Sequence, residues 1–333
     1  MVPDWMQLHT DIHNEVALTR ESMREGFARG VVEAGQSDER VVVLSADVSA
    51  SVRADAFKEA FPHRYVEMGV AEQNMATVAS GLAQCGKVPF IVAYAVFSPG
   101  RNWEQIRTTV ALPHLPVKIM GMHTGVSVGP DGATHQALED ITLMRVVPNM
   151  QVLVPCDSEE ARKAVLACVA HDTPTYIRFA RHATPVFTTT GTPFEIGRAE
   201  YLFRAEEPKV AIIGAGPILY EALQASKLLA GEGIPTSILN VHSVKPMDIE
   251  KVLEAARDAR AVVTVEEHQI LGGVGGTIAE VLAQNTPVPQ EMVAVHDRFG
   301  QSGEGGELLE HYRLTRRAIV EAARRAFARA HGG

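Results

Sequence analysis

Short apolar runs alternate with helical patterns along nearly the whole chain of 333 residues. The runs of strand length in the first half lie at 41–45, 88–93, 117–122 and 175–179. Between them, apolar residues recur every three or four positions, as Met23, Phe27 and Val31 do, which is typical of a helix with one apolar face. Strands separated by helices indicate parallel sheets covered by helices, so we predict an α/β fold.

The alternation stops between residues 181 and 198, where prolines, threonines and a glycine follow one another without periodicity. We therefore predict a linker at 183–198, a first domain at 14–182 and a second domain at 199–333. The second domain repeats the pattern, with strand-length runs at 210–213, 236–240, 261–266 and 292–295. An apolar fraction of 46% is ample for two cores.

Composition argues against several classes of function. The net charge is −9 and the basic residues are scattered, which disfavours nucleic acid as a partner. No apolar stretch approaches the roughly 20 residues of a membrane span, and residues 1–14 lack the apolar core of a signal peptide. Cys85, Cys156 and Cys168 show no metal or disulfide spacing, so we expect a reduced, cytoplasmic protein.

Polar and aromatic residues cluster just past the predicted strand ends. They are Asp47, Ser49 and Ser51, then Tyr94, Phe97, Arg101 and Trp103, then His123, and finally Arg181. Since the carboxyl ends of parallel strands share one edge of a sheet, we expect a ligand site there. Taken singly, each has a structural interpretation: the serines could cap a helix, the aromatic residues could be core, and Arg181 could be a surface charge.

The segment 129–136 reads Gly-Pro-Asp-Gly-Ala-Thr-His-Gln and follows the apolar run 117–122. It offers a carboxylate, Asp131, and an imidazole, His135, on backbone that can wrap around a small molecule. Alone, Asp131-Gly132 is also an ordinary turn pair, and His135 could bond to its own loop.

Glu72 opens the predicted helix 74–84 and is flanked by glycine and apolar residues. Acids at a helix start often only complement the dipole. A carboxyl among apolar neighbours is partly desolvated, however, and a buried acid that can share a proton is a common catalytic device.

Two glycine clusters carry weaker signals. Gly214-Ala-Gly216-Pro217 follows a strand but lacks the third glycine and the later acid of a dinucleotide fingerprint, so we assign no nucleotide site. The cluster 272–276 could contact a ligand or allow close helix–strand packing equally well.

Together these motifs resemble the thiamine-diphosphate enzymes of the transketolase type. Gly-Val-Ala-Glu72-Gln-Asn-Met is similar to the family segment that holds the catalytic glutamate, and Asp131-Gly-Ala-Thr-His135-Gln is similar to its substrate loop. The two occur in the family order, followed by Pro148-Asn149 and Val154-Pro-Cys-Asp157. The resemblance covers nearly the whole chain and implies a pyrimidine-binding domain followed by a transketolase C-terminal domain.

The resemblance also implies roles for individual residues. Glu72 would hydrogen-bond the aminopyrimidine of thiamine diphosphate and, with His135 and His123, act in catalysis. Phe97 would pack on the pyrimidine, with Tyr94 and Trp103 as companions. The substrate set comprises Asp131, His135 and His123 for sugar hydroxyls and the carbonyl, and Arg20, Ser51 and Arg181, with Arg178 as the alternative to Arg181, for a sugar phosphate.

The Gly-Asp-Gly segment that holds Mg²⁺ and the diphosphate in the family does not occur here. We therefore expect no metal site on this chain, and we expect a separate N-terminal subunit to supply the metal ligands. The expected assembly is α2β2, with the helices at 74–84 and 274–283 as candidate interface elements.

The expected activity is ketol transfer from a ketose phosphate to an aldose phosphate, as in pentose-phosphate metabolism. Three alternatives stay open: a β subunit of a 2-oxo-acid dehydrogenase, a 1-deoxyxylulose-5-phosphate synthase-like enzyme, and a non-catalytic regulatory subunit.

Overall fold

A computed structural model describes residues 6–331 of the chain. The first five residues of the segment 1–14, and the last two of the predicted domain 199–333, lie outside the described residues. The strands are β1 (Arg20–Ser22), β2 (Val41–Ser45), β3 (Tyr65–Glu67), β4 (Val88–Tyr94), β5 (Lys118–Thr124), β6 (Gln151–Leu153), β7 (Thr175–Ala180), β8 (Ala183–Pro185), β9 (Glu200–Phe203), β10 (Val210–Gly214), β11 (Thr236–Asn240), β12 (Ser243–Lys245), β13 (Val262–Gln269) and β14 (Gln290–Val295).

The helices alternate with these strands. They are α1 (Met23–Ser37), α2 (Ser49–Val52), α3 (Asp55–Ala60), α4 (Glu72–Gln84), α5 (Trp103–Gln105), α6 (Asp140–Arg145), α7 (Ser158–Val169), α8 (Leu219–Gly231), α9 (Ile249–Ala259), α10 (Val274–Asn285), α11 (Gly305–His311) and α12 (Arg316–His331). A π-helical segment, Ile106–Ala111, continues α5.

Two mainly parallel sheets organise the fold, which confirms the predicted α/β class. The first has the order β12-β6-β7-β5-β4-β2-β3, and the second has the order β14-β13-β10-β11-β9. Each carries one antiparallel edge strand, β12 in the first and β9 in the second. Since β12 comes from the second half of the chain, the two α/β units share a sheet edge as well as a core.

The apolar periodicity explains the helix packing. Met23, Phe27 and Val31 are fully buried on one face of α1, which packs on α7. The two helices approach so closely that a Cβ at Gly26 would lie 1.9 Å from the Ser158 carbonyl oxygen. Ser22 caps α1 by accepting from the Arg24 amide, and this cap fixes where the first turn of α1 begins.

The strand and helix predictions hold for the long elements and fail for short ones. The sequence pattern at 137–146 predicts one helix, but the structure has only α6 there, because Ala137 instead forms a bridge to Thr124 at the end of β5. Within the predicted linker, β8 pairs with β1 in a two-stranded antiparallel sheet. The serines past β2 do not cap a helix starting near residue 52, because Ser49 and Ser51 lie inside α2.

Candidate active site

Four connections meet at the carboxyl edge of the first sheet. In the strand order β7-β5-β4-β2 these strands are immediate neighbours, so the residues that follow them converge. The predicted residues brought to this edge include Ser51, Tyr94, Phe97, His123 and Arg181. The expected convergence is therefore present in the fold.

Glu72 lies in the first turn of α4 and is 2% exposed. Its carboxylate accepts a hydrogen bond from Arg101 Nη1 at 2.7 Å, and its own carbonyl accepts one from Asn102 Nδ2 at 3.0 Å. Asn102 is fully buried and also donates to Ser98 Oγ. The segment after β4 is thus tied to the start of α4, which fixes the position of the Glu72 side chain.

An aromatic and imidazole cluster lies beside this pair. The Tyr94 ring is 4.3 Å from the His123 ring and 6.1 Å from the Phe97 ring, measured between centroids. His135 meets the edge of both, at 5.5 Å from Phe97 and 6.0 Å from Tyr94. Arg101 reaches over Phe97 with its Cζ 4.9 Å from the ring centroid. The cluster therefore joins the predicted cofactor residues to the predicted substrate histidines.

His123 shows a combination that is uncommon outside functional sites. Its φ is 58° in β5, a left-handed conformation that costs free energy for most residues other than glycine, asparagine and aspartate. The ring is 1% exposed, and neither nitrogen makes a well-formed hydrogen bond within residues 6–331, although the backbone of Ser51 lies nearby. Burial, with the positive charges of Arg24 and Arg181, lowers the pKa of His123 to about 3. The imidazole is neutral at pH 7.

The loop 129–136 is held from behind by the second half of the chain. The buried Gln136 amide donates from Nε2 to the carbonyls of Val126 and Gln301, both at 2.9 Å. Gly132 has φ 75°, and a Cβ there would lie 2.5 Å from Ser302 Oγ. The segment before α11 therefore packs against one side of the loop 129–136. The opposite side of the loop is left to face the site.

Two guanidinium groups line the cleft next to the loop. Arg24 donates from Nη1 to the Ser51 carbonyl at 2.7 Å, and Tyr94 Oη donates to Ser51 Oγ at 2.8 Å. Arg181 pairs with Asp131 at 2.7 Å. Burial and the neighbouring Arg181 and Arg53 lower the pKa of Arg24, so the cleft favours a bound anion.

Three predicted residues lie elsewhere. The Arg20 guanidinium is engaged by other groups than Ser51: it pairs with Glu15 at 2.9 Å and donates to the Ala183 carbonyl. Trp103 does not join the cluster of rings, because its indole N–H donates to the Leu143 carbonyl and the ring packs against the core. Arg178, the alternative to Arg181, is buried in an ion pair with Asp140 and cannot reach a ligand in the cleft.

Sequence reasoning missed Arg24 and Gln136 and gave Arg101 no role. Arg24 lies in the first turn of α1, whereas Arg20 precedes that helix in β1, so no helical repeat in the sequence relates the two arginines. Gln136 directly follows His135, but its contact with Gln301 joins positions 165 apart, and no local pattern predicts it.

The glycine cluster at 272–276 is explained by packing. The Val274 and Gly275 amides at the start of α10 both donate to the Glu266 carboxylate, which is buried beneath them. Burial raises the pKa of Glu266. The glycines thus allow the helix end to approach the strand closely.

Two properties of residues 6–331 bear on membranes and metals. No helix there is long and apolar enough to cross a membrane. Within the same residues, no group of three or more histidine, cysteine or acidic side chains could hold a metal ion.

Comparisons with known proteins match both halves of the chain. The family described as Transketolase, pyrimidine binding domain matches residues 20–186, and Transketolase, C-terminal domain matches residues 197–319. A putative transketolase C-terminal section from Methanocaldococcus jannaschii is 39% identical over 90% of this chain and 94% of its own length.

Two further relatives are named as parts of larger enzymes. One subunit of a 6-deoxy-6-sulfo-D-fructose transketolase of Clostridium sp. is 40% identical, covering 93% of this chain and 95% of that protein. One subunit of an apulose-4-phosphate transketolase of Phocaeicola vulgatus is 35% identical, covering 90% of this chain and 96% of that protein.

The solved structures agree. One described as a split gene transketolase, inactive beta4 tetramer, superposes with a TM-score of 0.87 at 42% identity, covering 93% of this chain and 99% of that one. With both domains matched in order and identities near 40% over nine-tenths of the chain, the protein belongs to the transketolase family and corresponds to its pyrimidine-binding and C-terminal domains.

Proposed function

We propose that the chain is the C-terminal subunit of a thiamine-diphosphate-dependent transketolase that transfers a two-carbon ketol unit from a ketose to an aldose. The observation that carries this is the buried carboxylate of Glu72 next to the Phe97 ring, with one planar guanidinium spanning the two. A planar group with N–H donors therefore fits between these side chains. The aminopyrimidine of the cofactor is such a group.

The residues of this chain would divide the work as follows. Glu72 would share a proton with the pyrimidine ring nitrogen that faces it, because that nitrogen carries no proton in the neutral ring, and it would thereby set where on the ring the proton lies. Phe97 packs on the ring face, and Tyr94 holds Phe97 and His123 in place. When bound, thiamine diphosphate supplies the carbon nucleophile and electron sink for the two-carbon fragment.

The sugar would lie against the histidines. His123, neutral and without a well-formed partner within residues 6–331, is free to bond a hydroxyl or the carbonyl oxygen. From the loop, His135 contacts the Tyr94 and Phe97 rings and Asp131 pairs with Arg181. Thr134 Oγ1 lies 2.9 Å from His135 Nδ1, which orients that ring. We keep all three as sugar contacts.

We propose an anionic substrate end at Arg24, Arg181 and Ser51, with Arg24 in the place first given to Arg20. The sugars named for the two relatives above carry a sulfo group in one case and a phosphate in the other. Guanidinium groups bind both kinds of oxyanion well. A phosphorylated ketose of pentose-phosphate metabolism is the simplest donor with this chemistry.

The other half of the site is proposed to lie on an N-terminal partner subunit, which would hold Mg²⁺ and the cofactor diphosphate. Helix α4 supports this, because the face beyond Glu72 is exposed and nearly free of charge at Gln73, Asn74, Thr77 and Gly81. We propose an α2β2 assembly, whereas the related split protein is described as a beta4 tetramer that is inactive. Free thiols at Cys85, Cys156 and Cys168 support a reducing compartment such as the cytoplasm.

The experiment is reconstitution. The chain is mixed with the N-terminal subunit, Mg²⁺ and thiamine diphosphate, and ketol transfer is assayed with ketose donors that do and do not carry phosphate. We expect transfer only from the mixture, with the phosphorylated donor preferred. Failure with every ketose, while the complex forms, would instead support a non-catalytic regulatory subunit.

A further inference from the structure

We propose that Arg101 is a placeholder for the cofactor's pyrimidine ring. Its side chain holds Glu72 in position in the chain without cofactor, and it must be displaced when the cofactor binds. This rests on the proposed function, because it concerns the same half-site. It adds a residue that sets the affinity for the cofactor without contributing a favourable contact to it.

The geometry gives the first reason. Arg101 Nη1 lies 2.7 Å from Glu72 Oε2, and its Cζ lies 4.9 Å from the centroid of the Phe97 ring. These are the two groups proposed to hold the pyrimidine, one by its edge and one by its face. A guanidinium and an aminopyrimidine are both planar and present N–H donors in one plane. Both cannot occupy the same contacts, so the pyrimidine must replace the guanidinium.

The second reason is the contrast in burial. Glu72 is 2% exposed, whereas the Arg101 side chain is 47% exposed. A buried carboxylate without a partner is costly, so Glu72 needs a partner at all times. A half-exposed arginine loses little on returning to water, because its head is already largely solvated. The pair is therefore asymmetric: one member is fixed and the other is exchangeable.

The third reason is that the backbone at Glu72 and the backbone at Arg101 are both held by hydrogen bonds that do not involve the Arg101 side chain. Buried Asn102 donates to the Glu72 carbonyl and to Ser98 Oγ, and the Arg101 amide bonds to the Phe97 carbonyl at 2.9 Å. The Arg101 side chain can thus leave without moving α4 or the segment after β4. Displacement is a rotation of one side chain rather than a rearrangement of the fold.

The test measures cofactor binding rather than turnover. The complex with the N-terminal subunit is titrated with thiamine diphosphate at fixed Mg²⁺ in a calorimeter. Arg101→Met keeps an apolar contact with Phe97 and removes the competing donor, so we expect about tenfold tighter binding, equivalent to roughly 1.4 kcal/mol. Arg101→Lys keeps the charge, so we expect a smaller gain. The matched control is Arg107→Met, since Arg107 is exposed in the π-helical segment that continues α5, and it should bind as the wild type does.

Unchanged or weaker binding by Arg101→Met would overturn the inference and leave the proposed function standing. No binding by the wild-type complex would contradict the proposed function itself.

A second measurement uses the chain alone and needs no partner. The Arg101→Met chain should melt several degrees below the wild-type chain, because the buried Glu72 carboxylate loses its ion-pair partner. The same change in a Glu72→Gln background should lower it much less. Additive effects would show that the two side chains do not depend on each other and would contradict the placeholder role.

Discussion

The buried, neutral state of His123 gives a pH dependence that can be worked out from the structure. Its pKa is lowered from 6.5 to about 3, first by burial and then by Arg24 and Arg181. Between these two values the unfolded chain binds the proton and the folded chain does not. The free energy of unfolding therefore rises with pH in this window, and it falls as pH is lowered from 6.5 toward 3.

The size of the effect follows from the distance to the ordinary pKa. One pKa unit corresponds to about 1.4 kcal/mol, so acidifying from pH 7 to pH 5, roughly 1.5 units below the ordinary value, costs about 2 kcal/mol through this one residue. His123 is 1% exposed, so solvent screening is slight. The loss is large compared with a typical domain stability of roughly 5–15 kcal/mol.

The assay is urea denaturation of the chain at pH 7, 6 and 5, for the wild type and for His123→Asn. Asparagine tolerates the positive φ at this position and does not titrate in the window. We expect the wild type to lose about 2 kcal/mol more than the variant between pH 7 and pH 5. The control is His63→Gln, since His63 is exposed, and it should follow the wild type. Parallel losses for wild type and His123→Asn would refute a buried neutral imidazole.

Further expectations concern the anion cleft, the loop and the core. Arg24→Ala should raise the KM for a phosphorylated ketose by roughly tenfold to a hundredfold, the effect of one charged hydrogen bond, whereas Arg20→Ala should change the KM little. A larger effect of Arg20→Ala than of Arg24→Ala would assign the anion contact to Arg20 instead. Gln136→Ala should speed amide hydrogen exchange in residues 129–136 while α1 keeps its protection. Equal exchange of this loop in the wild type and the variant would show that the contact with Gln301 does not order it. Arg178→Met should destabilise the chain by about 3–5 kcal/mol in urea, because it leaves the Asp140 carboxylate buried without its ion pair; a loss below about 1 kcal/mol would contradict this.

The long elements could be predicted from the sequence because each depends on local periodicity. The spacing of Met23, Phe27 and Val31 specifies α1 whatever lies around it, and the apolar runs that became β4 and β5 are buried throughout. The short strand β12 could not be predicted, because three residues carry no periodicity and its partner β6 lies about 90 positions earlier.

The site was predictable as a set of residues but not as a set of contacts. His123 and Phe97 could be placed at the carboxyl edge of the first sheet from the sequence, because each lies at the end of a predicted parallel strand. Which arginine reaches Ser51 depends on the rotation of α1, and the first turn of that helix directs Arg24 there while Arg20 stays in β1. The contact of Arg101 with Glu72 joins two segments 29 positions apart through side-chain atoms, and no sequence pattern specifies it.

The role of Glu72 is the central claim, and proton exchange tests it most directly. The complex of this chain with the proposed N-terminal subunit, Mg²⁺ and thiamine diphosphate is placed in D₂O, and loss of the thiazolium C2 proton is followed by NMR after rapid quenching. The wild-type complex should exchange far faster than the free cofactor. Glu72→Gln should slow exchange by at least about a hundredfold, the usual range for loss of a group that acts in proton transfer, while the exposed control Glu59→Gln should not. Exchange at the wild-type rate in Glu72→Gln, with the cofactor still bound, would contradict the account.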